Sequence, residues 1–274
     1  MELIDFDAHF SQTLSEWIEA NRARFKNAEA MEDAAPEAYQ TWLETPADWL
    51  GGVAPIDYFA RFDDAKMLTD WLLAYANSDT PIPDLLLDRL EELNNEAPIL
   101  ALLRDEAAPC EARMHAVDML RQLDSRAPMV DYIRWQVERA QDEDLLDNAL
   151  ESLRSMGEEV RRPAKIAFVA ADDAGKEALL DVLADFLPCD EDALAFALRQ
   201  FQAVPEKRAL YAGYLGKMED DRALAPLMDM AEAEGLSYID FIEIRNAIER
   251  LGGEAPVRDF DDPTYHAVKR LQKL

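Results

Sequence analysis

Five segments of this chain close in the same way: "AVDMLRQL", "ALESLRSMG", "LLDVLADFLP", "YAGYLGKM" and "AIERLGG". Their shared leucines, Leu120, Leu153, Leu183, Leu215 and Leu251, stand 33, 30, 32 and 36 residues apart. That interval holds one pair of short helices with its turns, and a single pair cannot bury its own apolar face. The chain is therefore expected to fold as a stack in which each layer covers the next.

The apolar spacing supports helices throughout. In "EARMHAVDMLRQL", Met114, Val117, Leu120 and Leu123 fall on one face with Ala116 beside them. No alternating run of β-branched and aromatic residues predicts a sheet. Prolines and glycines, among them Pro109, Pro128, Gly157, Pro163, Pro188, Gly216 and the pair Gly252 and Gly253, recur about every dozen residues and predict the turns. The segment "IEIRNAIERLGG" reads as a helix with a glycine stop. Acid pairs at Asp63 and Asp64, Asp172 and Asp173, and Asp220 and Asp221 are expected to cap helix starts rather than to hold a metal.

One of these segments reads Arg, two residues, Ala, three residues, Leu, and the others approach that pattern, two of them with a following Gly. Arg113, Ala116 and Leu120 fit; Arg208, Leu215 and Gly216 fit with Tyr211 in the Ala place, and Lys176 and Leu183 with Leu179 there. Two layers depart at the base: one keeps Ala149 but has Leu146, the other keeps Ala247 and Gly252 but has Ile244. Over residues 64–253 the chain resembles the HEAT-repeat family in its short bacterial form. The resemblance implies an all-α, right-handed solenoid of HEAT- or armadillo-like antiparallel helix pairs. Residues 63–253 would be the repeats, 1–62 an aromatic-rich helical cap, and 254–274 a capping segment, all in one continuous domain. In "DDPTYHAVKRLQK" acids precede Pro263, and Lys269, Arg270 and Lys273 close the segment, the order a helix dipole favours.

Charge narrows the function. There are 57 acids and 28 bases, a formal net charge of −29 that is not confined to a tail: residues 1–62 hold 12 acids and 4 bases, the remainder 45 and 24. Such a field disfavours phosphate backbones and anionic lipids and favours basic partners. No segment has a leader pattern or the length of a membrane span, and Cys110 and Cys189 are expected as two free thiols in helices. A cytoplasmic monomer is the expectation.

Enzymes that share the HEAT architecture make specific demands. Deoxyhypusine hydroxylase-like proteins use His-Glu pairs, but none of His9, His115 and His266 is followed by Glu. DNA glycosylases of this kind need a basic face. No phosphate loop, nucleophile elbow or zinc spacing occurs, so neither a catalytic group nor a cofactor is expected. The resemblance also leaves open a small-molecule or chromophore-handling protein of the bilin-lyase kind, with a pocket near the N-terminal cap.

Two binding surfaces are candidates. Two positions before each shared leucine stand Asp118, Glu151, Asp181, Gly213 and Glu249, about 200° away from the leucine on the helix and so facing outward. In HEAT-like stacks this would make an acidic column along the concave face, flanked by His115, Asn148, Ser155, Asp185 and Asn246, to hold a basic peptide or protein. The other is the stretch 41–62, where Trp42, Trp49, Tyr58 and Phe59 are either core of the cap or an aromatic binding site. A scaffold or adaptor with an acidic groove is the expected role, with capture of nucleic-acid-binding proteins as a further possibility.

Overall fold

The computed structural model describes residues 3–25 and 27–271. Among them sixteen α-helices and no β-strand occur, with one isolated bridge from Ala47 to Val53. No helix is long and apolar enough to cross a membrane. The chain forms two compact units, Met1–Pro128 with Asp142–Asn148, and Met129–Gln141 with Ala149–Leu274.

The first unit contains α1 (Phe6–Asn21), α2 (Ala28–Glu32), α3 (Ala35–Glu44), α4 (Ala65–Ala76), α5 (Asp84–Leu93), α6 (Glu96–Arg104) and α7 (Cys110–Gln122). Three 3-10 turns at Asp48–Leu50, Pro55–Asp57 and Phe59–Arg61 link α3 to α4. Its core combines the rings of Phe6 and Phe59 with Leu68, Leu72, Leu86, Leu90, Ile99 and Leu103. Arg113, at the base position of the repeated motif, is buried, and its Nε donates to the Leu103 carbonyl at 3.1 Å. It thus satisfies a carbonyl in the last turn of α6, which that helix cannot satisfy itself.

α9 (Glu143–Ser155) starts in the first unit and ends in the second, which holds α8 (Met129–Glu138) and α10 (Glu158–Ala170). It continues with α11 (Asp173–Leu183), α12 (Glu191–Ala203), α13 (Arg208–Lys217), α14 (Leu224–Ala231), α15 (Tyr238–Arg250) and α16 (Pro263–Leu271). Helix starts are capped as the acid pairs suggested. Asp64 accepts from the amides of Lys66 and Met67, Asp172 from Gly175, and Asp220 from Arg222 at a 3-10 turn. The stop of α15 is also as expected: Gly252 has φ +75° and the Gly253 amide reaches back to the Ile248 carbonyl at 2.9 Å. In α16, Lys269 and Arg270 occupy the last turn, while Lys273 lies outside the described residues.

Leu120, Leu153, Leu183 and Leu215 are buried, each contributing about 1.5–3 kcal/mol of burial free energy, whereas Leu251 at the end of α15 is only half-buried. All five residues at the Ala position, Ala116, Ala149, Leu179, Tyr211 and Ala247, are buried as well. Polar contacts repeat with the same interval. Asn148 to Asp118, Lys207 to Glu177, Arg222 to Glu191, Arg154 to Asp185 and Lys217 to Asp185 all join residues 30 to 32 positions apart.

Three expectations need correction. Pro163 is inside α10 rather than at a break. The break is made six residues earlier by Gly157 at φ +64°, and a proline this near a helix start deletes one hydrogen bond without ending the helix. Cys189 is a free thiol but lies in the loop before α12, not in a helix. Gly216 is not a stop either, but sits inside α13 where a Cβ would lie 2.9 Å from the Ala247 Cα of α15. Glycine lets the two helix backbones touch. Gly216→Ala should therefore destabilise the protein by about 1–3 kcal/mol through overpacking, despite a better helix propensity. Gly213→Ala in the same helix meets nothing within 4 Å and should stabilise by up to about 1 kcal/mol. Chemical denaturation of the two variants checks the opposite signs.

Candidate functional site

The acidic excess is unevenly shared between the units. The first holds 30 acids and 10 bases, net −20, and the second 27 and 18, net −9. Four of the acids of the first unit lie on α5. Its sequence "DLLLDRLEEL" puts Leu86 and Leu90 in the core and Asp84, Asp88, Glu91 and Glu92 at i, i+4, i+7 and i+8, one stripe of a helix.

That stripe borders a cleft of about 630 Å3. Tyr39 and Leu43 from α3 line it, with Ile56 and Phe59 from the 3-10 turns and Leu85 and Leu87 from α5. Tyr39 and Ile56 are left 37% and 44% exposed, so the apolar lining is accessible to a partner. Arg89 is the one base among the described lining residues, and its fork is already engaged: Nε with the Phe62 carbonyl at 3.1 Å, Nη1 with Glu92 at 2.9 Å and Nη2 with Asp63 at 2.6 Å. Asp84, Asp88 and Glu91 have no ion pair among the described residues.

Crowding is visible in the titration of these groups. Burial, then the charges of Asp84 and Glu92, raise Asp88 above the usual carboxylate range. Glu91 is raised by burial and then by Asp88 and Asp118. The Tyr39 phenol is likewise pushed up by burial and then by Asp84, Asp7 and Asp88. Like charges three and four positions apart on a helix repel, and here no internal base relieves them.

The residues of the expected acidic column fall in both units. Asp118 and His115 belong to the first unit, and Glu151, Asp181, Asp185, Asn246 and Glu249 to the second. Asp118 is held by Arg121 at 2.7 Å and by the Asn148 amide at 3.1 Å. Arg154 lies 3.5 Å from both Asp181 and Asp185, and Lys217 approaches Asp185 to 3.0 Å. Glu249 faces Arg245 at 3.5 Å, Glu151 and Asn246 are exposed, and His115 is half-buried. Glu249 and Asn246 line one hollow with Gly213, Lys217, Glu243 and Arg250. Asp118, Asp181 and Asp185 thus have bases of their own chain beside them.

A second cleft, of about 500 Å3 in the second unit, is built on α11 and α13. Glu177 accepts from the Tyr211 phenol and from Lys207 Nζ at 2.6 Å. Burial pushes the Glu177 carboxyl up, but these hydrogen bonds outweigh it and hold the group below its ordinary value. Tyr211 and Tyr214 are driven well above the ordinary phenol value by burial, and then by Glu177 and Asp181 respectively. These shifts lead away from neutrality, which suits bonding between helices rather than proton transfer.

The aromatic stretch divides. Trp42 and Phe59 are buried, while Trp49 and Tyr58 are half-buried. Phe6 gathers Trp49, Tyr58 and Phe59 around it with centroid separations of 5.6, 5.7 and 5.6 Å. Among the described residues no group of three or more His, Cys, Asp or Glu side chains is placed to hold a metal ion. No protein family, curated protein or solved structure matches this chain.

The α5 stripe makes a thermodynamic prediction. A carboxyl whose pKa is raised in the folded state is protonated more readily there, so its repulsion is fully felt at neutral pH and relieved as pH falls through the raised value. Asp88→Asn with Glu91→Gln should melt at a higher temperature than the parent at pH 7. The gap should close as pH drops below about 4, where unfolded carboxyls also take up protons. Melting temperatures across that range provide the check.

Proposed function

We propose that this chain is a non-enzymatic binding protein, built from HEAT-like helix pairs, that holds a basic amphipathic segment of a partner protein in the α5 cleft. The observation that carries the reading is the combination of partly exposed Tyr39 and Ile56 with three unpaired carboxylates on one helix stripe. A helix or strand bearing lysines or arginines on one side and aliphatic groups on the other satisfies both demands. Its cations relieve the crowding at Asp84, Asp88 and Glu91, and its apolar groups cover the rings. The net charge of −20 on this unit adds long-range steering toward such a partner. For the stacked architecture, the support is the interval of 30 to 32 residues in the polar contacts between helices.

A Leu/Lys peptide designed as an amphipathic helix is a suitable probe, with a Ser/Lys peptide of equal charge as control. Fluorescence titration should give saturable binding of the first that weakens between about 50 mM and about 300 mM salt, where the screening length falls more than twofold. The control should bind at least about tenfold more weakly. Asp84→Asn, Asp88→Asn and Glu91→Gln together should remove the preference, while Asp181→Asn with Glu249→Gln should leave it intact. The reverse pattern would move the site to the acidic column. Equal binding of both peptides would reduce the cleft to a diffuse field.

A further inference from the structure

The N-terminal helices enclose a second kind of space. A cavity of about 210 Å3 lies among Phe10, Leu14 and Trp17 of α1, Trp42 of α3 and Trp49 of the following turn. It reaches the surface at the exposed Thr13, Thr41 and Thr45. In a chain with 31% charged residues, none of its described lining residues is charged. The threonine hydroxyls are already used: Thr13 donates to the His9 carbonyl at 3.0 Å, Thr41 to Glu37 at 2.8 Å and Thr45 to Thr41 at 2.6 Å. What such a wall offers an occupant is dispersion and ring stacking.

Rings on the wall are held in place from outside. Trp49 is stacked on His9 with centroids 3.8 Å apart and planes within 1°, and Trp42 packs against Phe10 at 5.2 Å. A preformed slot binds without the cost of ordering its side chains. Size sets the occupant. A dry apolar cavity of about 150 Å3 takes a benzene ring, so 210 Å3 leaves room for a second fused ring and excludes a helix or peptide. Charge sets it further, because an anion would meet the negative field of this unit with no cation among the described lining residues, and a cation would lose its hydration with no carboxylate among them to replace it.

We propose that this cavity is a binding site for a neutral, flat, apolar molecule of about two fused rings, separate from the acidic cleft on α5. 1-Naphthylamine, two fused rings and uncharged at neutral pH, is a fitting probe, since Trp17, Trp42 and Trp49 can pass excitation to it. Titration of the full-length protein should show saturable energy transfer at one probe per chain, with naphthalene displacing the probe and 2-naphthoate failing to do so. Thr41→Phe, which places a ring in the opening, should raise the dissociation constant at least about tenfold, and Leu14→Phe should do the same from the facing helix. The triple α5 variant should leave uptake unchanged. Non-saturable uptake, equal affinity in folded blocked variants, or equal displacement by 2-naphthoate would each overturn the assignment.

Discussion

No helix in this protein can bury its own apolar face, and the structure depends on neighbouring helices supplying what each one lacks. Helices α7, α9, α11, α13 and α15 each carry or end on a recurring leucine and present, four residues earlier, a buried side chain. In α7, α9 and α15 that side chain is Ala, and in α11 and α13 it is Leu179 and Tyr211. Closest approach is at Gly216, where the α13 backbone meets α15 with no room for a methyl group. Interior close packing of this kind leaves little tolerance for volume change, so the register of these helices is fixed by residues that carry no chemistry.

That register also places the charges. Residues on successive helices meet about one repeat apart, and the same interval joins Glu177 to Lys207, Glu191 to Arg222 and Asp185 to Lys217. In the second unit, where the bases are more numerous, acids are matched in this way. In the first unit there are three acids for every base, and matching fails on α5. Its one arginine holds Asp63 and Glu92, which leaves Asp84, Asp88 and Glu91 to repel one another beside an accessible apolar cleft. A surface that is both unfavourably charged and partly apolar gains on both counts from a basic amphipathic partner, and that is the physical core of the binding role proposed above.

The aromatic cluster near the N-terminus combines two tasks that the sequence could only offer as alternatives. Phe6, Trp42 and Phe59 fill the core. Trp17 and Trp49, half-buried at its edge, frame an uncharged cavity. Large rings in a small helical segment pack efficiently in the middle and leave gaps at the margin, because a flat rigid group cannot be divided to fill an irregular space.

The sequence by itself determined what depends on neighbours along the chain. Helices follow from apolar spacing, their starts from Asp64, Asp172 and Asp220, and the stop of α15 from Gly252. The net charge was equally legible. The stripe at 84, 88, 91 and 92 was present as an i, i+4, i+7, i+8 pattern, but it lies before the first recurring leucine, where no repeated position marks it. Only the tertiary structure decided how Asp181 and Asp185 are neutralised, because Arg154 and Lys217, about 30 residues away on other helices, cannot be assigned to them by spacing along one helix. It alone decided which aromatic rings are core, and that Gly216 is a contact and not a stop. Local periodicity says which way a side chain faces; what it meets there is set by the packing of other helices.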